Sequence, residues 1–216
     1  MLTDPERAAF LESTGRVQQR AAAALGQASD ADSAVAFVAH LHRSVDTVVV
    51  RALQAGFAPD CKAGCAACCG LPVSATDAEV FRIAQHLQQQ PPPHTAQVIA
   101  RLHSHAEQRR AAALEARVNC GFLVRGQCSI YAVRPAACRK AHSLSVKHCE
   151  ALTADIPQDV QLLAQAEALM AGTSGAYRQA GLPSSAHELN AAVLVALTDA
   201  SALARWYAGE AVFAPD

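Results

Sequence analysis

All eight cysteines of this 216-residue chain fall between positions 61 and 149, and the first sixty residues contain none. Four of them, Cys61, Cys65, Cys68 and Cys69, crowd into the stretch CKAGCAACCG. The other four, Cys120, Cys128, Cys138 and Cys149, follow at wider spacing. The pattern reads C-x3-C-x2-C-C, then C-x7-C-x9-C-x10-C. Whatever this chain folds into must gather that sulfur in one lobe.

Size and charge narrow what the sulfur is for. A chain this long buries roughly 70% of its unfolded surface and needs no disulfide staples to hold a core. Eighteen basic residues against nineteen acidic ones give a net charge of −1. A general nucleic-acid or anionic-membrane binder carries a basic excess instead. No run of about 18 apolar residues predicts a membrane helix. The start, MLTDPERAAFLESTGR, lacks the basic and apolar regions of a signal peptide, so the expected location is cytoplasmic. In a reducing compartment, clustered thiols read as metal ligands or redox groups rather than disulfides.

The expected fold is mostly α, with a small irregular cysteine-rich lobe containing a short β-hairpin. We expect one domain over 1–216, with the metal-binding cysteine region at 57–149. Alanine is abundant and aromatics make up only 5% of the chain, which favours helices and an aliphatic core. Thr3, Pro5 and Glu6 predict a capped first helix. Val38, Leu41, Val45, Val48, Val49, Ala52 and Leu53 recur at helical spacing and predict a second helix over 32–55. TDAE at 76–79 is a capping box for a third helix bearing Val80, Ile83 and Leu87, ended by QQQPPP. Residues 95–118 and 156–171 read as further helices. CGFLVRGQCSIY at 120–131 reads as a hairpin around Arg125-Gly126, and RPAACRK at 134–140 as a helical turn. GTSGAYRQAGLPSS at 172–185 reads as a loop. A closing helix is expected over 186–208, with Leu189, Val193, Ala196, Leu197, Ala200, Leu203 and Tyr207 on one face. The cysteine lobe contributes few core positions in this reading, so metal and fold should be coupled locally.

Thiolates bind zinc tetrahedrally and hold iron–sulfur clusters through four cysteines. Eight thiols suffice for two such centres, or for one centre plus structural or reactive cysteines. Cys61, Cys65 and Cys68 are spaced to wrap one centre. Neighbouring side chains generally diverge, so Cys69 should face a second centre or a thiolate from 120–149. Lys62, Arg125, Arg134, Arg139, Lys140 and Lys147 lie near cysteines in sequence and can offset thiolate charge, Arg134 and Arg139 foremost. His142 and His148 flank the last cysteines and are alternative ligands. The C-x3-C-x2-C spacing also occurs in radical S-adenosylmethionine enzymes, and Cys65 and Cys68 form a CxxC pair. Neither an α/β barrel nor a βαβ pattern surrounds them here. No Glu-x-x-His, P-loop or GxGxxG occurs, and no catalytic constellation stands out.

CKAGCAACC followed by CGFL and CSIYAVRPAACR resembles the YkgJ-type zinc- or iron-chelating cysteine-cluster proteins over about residues 61–139. The resemblance implies metal binding, with Cys61, Cys65, Cys68, Cys69, Cys120, Cys128 and Cys138 at the motif positions. Cys149 lies beyond the strongest part of the motif and joins the set as an eighth candidate ligand. Iron–sulfur binding is associated with the flagellin lysine-methylase relatives. The expectation is thus a zinc- or iron-binding module that stores or delivers metal, or uses it to present a surface to a protein partner. An iron–sulfur protein with redox or enzymatic work is the alternative.

Overall fold

A computed structural model describes residues 3–62, 64–113, 116–151, 153 and 155–213. The chain is mostly helical, with two small antiparallel sheets. Helix α1 (Asp4–Leu25) opens with the predicted box, in which Thr3 N and Oγ1 both donate to Glu6 at 2.8 Å. Helix α2 (Ala31–Gln54) is capped by Asp30, which accepts from Ser33 N at 2.7 Å. The expected apolar face of α2 is covered only as far as Val45. Beyond it Val48 and Val49 are half-buried, and Val50 and Leu53 are exposed.

Strand β1 (Ser74–Thr76) runs into α3 (Asp77–Gln88), whose predicted capping box forms with Thr76 N donating to Glu79 Oε2 at 2.9 Å. Helix α4 (Pro92–Ala111) starts inside the proline run, since proline at the first turn has no orphan N–H to satisfy. It ends earlier than expected, and the predicted span to 118 includes 114 and 115, which lie outside the described residues. The expected hairpin forms from β2 (Leu123–Val124) and β3 (Gln127–Cys128). Arg125 and Gly126 both adopt positive φ, 52° and 77°, as a tight two-residue hairpin turn demands. Two short helices follow, α5 (Ala136–Lys140) and α6 (Val146–Ala151).

The chain departs from the sequence reading in its last third. Helix α7 (Val160–Gln179) runs straight through GTSG, which we expected to be a loop. Its glycines serve packing rather than turning. A Cβ on Gly172 would stand 2.7 Å from Thr14 O and Val17 Cβ, and one on Gly175 2.7 Å from Gln18 Oε1, so α1 and α7 touch nearly backbone to backbone. The single closing helix is instead β4 (Ala186–Glu188), α8 (Leu189–Thr198) and α9 (Ala202–Tyr207). Asp199 breaks it by accepting from Ser201 N at 2.9 Å and Ser201 Oγ at 2.6 Å, a local bond that competes with the helix ladder. Trp206, not Tyr207, is the buried aromatic, with Nε1 donating to Pro183 O at 2.9 Å.

Strand β4 pairs with β1 across more than a hundred residues, in the register Ala75↔His187. Buried Asp77 supports the join, accepting from Ser185 N at 2.8 Å. The core lies between α2, α3, α7 and α8, and it extends into the cysteine lobe. Phe122, Ile130, Val133 and Ala136 belong to the same buried cluster, with Cys120 and Cys128 packed against it. The lobe therefore holds more of the core than its sequence suggested, because the residues flanking the hairpin are buried and the turn at Tyr131–Val133 packs against α3.

Candidate metal centre

Four segments bring the cysteines together. The first loop is pinned at Asp60, whose N–H donates to Ser143 O at 2.9 Å and whose Oδ2 accepts from Val146 N at 3.0 Å. That ties Cys61 to the segment leading into α6, which carries Cys149. Cys68 and Cys69 sit in a 3-10 turn over Ala67–Gly70, held by Cys69 N donating to Ala66 O at 3.0 Å. Cys120 N donates to Cys69 O at 2.7 Å, so the second cysteine segment is stitched directly to the first. Cys128 ends the hairpin opposite Leu123. Cys138 rides on α5, whose first N–H, that of Ala136, donates to Glu79 Oε1 at 2.7 Å.

Cys68, Cys69, Cys120, Cys128 and Cys138 line one cavity of about 410 Å³. Its remaining wall is largely apolar, with Val73, Phe122, Ile130 and Leu189 among the lining residues, and Glu79 and Arg134 at its edge. Cys61, Cys65 and Cys149 are outside that lining. All eight are free thiols. Burial pushes Cys61 up, and the nearby Cys65, Cys68 and Cys149 add to it, marking an outer group of sulfurs. Burial pushes Cys120 up to about 11 and Cys138 up to about 12, with Cys128 adding to both. Burial also raises Cys128, against the opposing charge of Arg134.

Cys68 and Cys69 line the same cavity. A hydrogen bond between the two sulfurs lowers Cys68 below the ordinary thiol range and raises Cys69 above it. A 3-10 turn keeps consecutive residues on neighbouring sides of a tight coil, so both side chains reach the cavity. Cys69 is within electrostatic reach of Cys120 and Cys128, and Cys68 within reach of Cys61, Cys128 and Cys138.

The surrounding charges sort themselves by structure. Arg139, expected near the thiolates, is buried and anchors the lobe: it donates to Asp46 Oδ2 at 2.6 Å, Ala132 O at 2.7 Å and Arg134 O at 2.8 Å. Arg134 stacks on the Tyr131 ring at 3.8 Å and stays beside Cys128. His142 is spent on backbone: Nδ1 meets Lys140 O at 2.8 Å and Nε2 accepts from Asp159 N at 2.8 Å, which leaves no lone pair for a metal. His148 Nδ1 meets Ser145 Oγ at 2.7 Å on the exposed side of α6.

Three residues that the sequence did not link to the cysteines complete the surroundings. Glu79, read only as a cap, is buried and also bonds His42 Nε2 at 3.0 Å. Burial raises its pKa, but His42, Thr76 and Ala136 together outweigh that and hold it below the ordinary carboxylate value. Arg117 lies against Gly70 and donates to Cys149 O. Asn190, on α8, reaches Cys120 and Gly121. Only the tertiary fold makes them neighbours of the cysteines.

Thiol-rich donors of this kind fit zinc or iron, which prefer thiolate over harder ligands. Among the described residues, no three His, Cys, Asp or Glu side chains already stand close enough to close on an ion. The cysteines are gathered rather than pre-arranged, so binding would draw in the last ligands and displace their protons.

Helices hold a lobe in which the thiols converge. Residues 60–162, a span that takes in all eight cysteines, match the family model described as "CxxCxxCC: Putative zinc- or iron-chelating domain". The cysteine-bearing part of the chain is thus similar to this domain family, and the match supports metal binding. No curated protein and no solved structure matches the chain. Among the described residues no helix is long and apolar enough to cross a membrane.

Proposed function

We propose that this chain is a thiolate metal-binding module for zinc or iron, with Cys61, Cys65, Cys68, Cys69, Cys120, Cys128, Cys138 and Cys149 as its ligand set. The observation that carries this reading is the convergence of five cysteines from three segments on one cavity. Four of them, Cys69, Cys120, Cys128 and Cys138, form an inner group against the core. Cys61, Cys65 and Cys149 form an outer group, and Cys68 stands between the two. A bound ion would supply cross-linking between segments and neutralise thiolate charge. The chain's own part is to aim the sulfurs, and eight free thiols suit the reducing cytoplasm. Storage or delivery of metal, or presentation of a surface to a protein partner, is the role that goes with this ligand set in one folding unit.

Elemental analysis of anaerobically purified protein tests the reading. We expect at least about one zinc, or several irons, per chain. A folded, metal-free protein with eight freely titratable thiols would overturn it. A brown protein with visible absorption and acid-labile sulfide would move the assignment to the iron–sulfur alternative.

A further inference from the structure

We infer that Asn190 is a positioning residue of the metal centre: it holds Cys120 in place from α8, beyond the 60–162 match, as a neutral amide that cannot be replaced by a charge. The inference rests on the thiolate metal-binding reading above.

The Cys120–Gly121 backbone is fastened at several points. Cys120 N donates to Cys69 O at 2.7 Å, Arg101 Nε donates to Gly121 O at 3.2 Å, and Gly121 N donates to Asn190 Oδ1 at 2.8 Å. Gly121 permits the approach, since a Cβ there would stand 3.0 Å from Leu102 Cδ2 and 3.2 Å from Asn190 Oδ1. The same Oδ1 lies 3.4 Å from Cys120 Sγ and accepts its thiol proton. Asn190 is itself buried, and its Nδ2 donates to Glu188 Oε1 at 2.7 Å. The donor at Gly121 and the acceptor at Glu188 fix which end of the amide is oxygen.

When Cys120 gives its proton to solvent and bonds a metal, Asn190 keeps its Gly121 bond and so continues to hold the turn that aims the sulfur. A neutral amide oxygen tolerates the thiolate at this distance, whereas a carboxylate there would repel it in a buried setting. Such outer partners typically govern metal affinity by about 10- to 100-fold.

The double variant Glu188→Gln/Asn190→Asp separates positioning from packing. It exchanges acid and amide, so the Gly121 and Ala191 amides keep acceptors and the net charge is unchanged. The charge moves from beside Cys120's neighbour to against Cys120 itself. Zinc affinity is measured by chelator competition, alongside the cobalt–thiolate charge-transfer band and far-UV circular dichroism. With wild-type helicity retained, we expect zinc affinity to fall about 10- to 100-fold and the band to weaken. Unchanged affinity and band in a folded variant overturn the role of Asn190. A wild-type protein that binds no zinc overturns the metal reading instead, and the two failures are thereby distinct. Should the variant lose helicity, hydrogen exchange on the wild type decides. A Gly121 amide as slow as core-helix amides, with and without zinc, supports the anchor, and one as fast as a surface loop overturns it.

Discussion

Cys68 and Cys69 show how much a single residue's role depends on a local turn. Adjacent cysteines in an extended segment would face opposite ways, but the 3-10 turn brings both to the lining of one cavity. Because Cys61 lies with Cys65, Cys68 and Cys149, Cys65→Ser should abolish the outer centre, a neutral hydroxyl being a far poorer ligand than a thiolate. Cys69→Ser should spare that centre and lower only the remaining stoichiometry. Metal content of the two purified variants checks this, and total loss in Cys69→Ser with none in Cys68→Ser would reverse the allocation. Glu79 yields a second expectation. It is fully buried and accepts from His42, Thr76 and Ala136. Its folded-state pKa is depressed, so its stabilisation is present above the ordinary carboxylate value and fades as pH falls through the folded one. In metal-free protein, Glu79→Gln should lose roughly 1–3 kcal/mol at neutral pH, since an amide cannot satisfy all those donors. It should also flatten the acid limb of the stability profile, as urea melts from pH 3 to 7 will show.

At the level of elements, capping boxes and the hairpin could be read from sequence because each is written within a few residues. Thr76 with Glu79, and Arg125 with Gly126, need no distant partner to form. The β1–β4 pair could not be read that way, since two three-residue strands separated by more than a hundred positions carry no local period. GTSG misled for a related reason. Glycine and serine signal turns in isolation, but opposite Thr14 and Val17 the absent side chains let two helices close. Gly172→Ala should therefore destabilise the protein by about 1–3 kcal/mol despite alanine's better helix propensity. A lower urea midpoint with an unchanged slope is the expected measurement. A rise in stability would mean that α1 stands further off than 2.7 Å implies.

For the whole molecule, metal and fold meet unevenly. The segment from Phe122 to Ala136 is set in the main core, whereas the loop around Cys61 and the stretch carrying Cys149 are held by exposed Asp60 and Arg117 and by the carbonyl of buried Ser143. Removing metal with a chelator should leave most helicity, loosen 57–75 and 140–149, and disturb 120–138 much less. Hydrogen exchange with and without metal will resolve the three regions, and collapse of all helical signal on chelation would contradict the expectation. What the sequence determined by itself is the chemistry and its neighbourhood: eight thiols in one stretch, a helical frame with its caps, and a hairpin between cysteines. These are legible because ligand type, capping and turn formation act over a few residues. The tertiary structure alone decided which sulfurs share a cavity, that Glu79 and Asn190 stand behind them, and that α1 and α7 meet at glycines. Those outcomes depend on packing between segments far apart in the chain, where the deciding forces are burial and the pairing of buried polar groups.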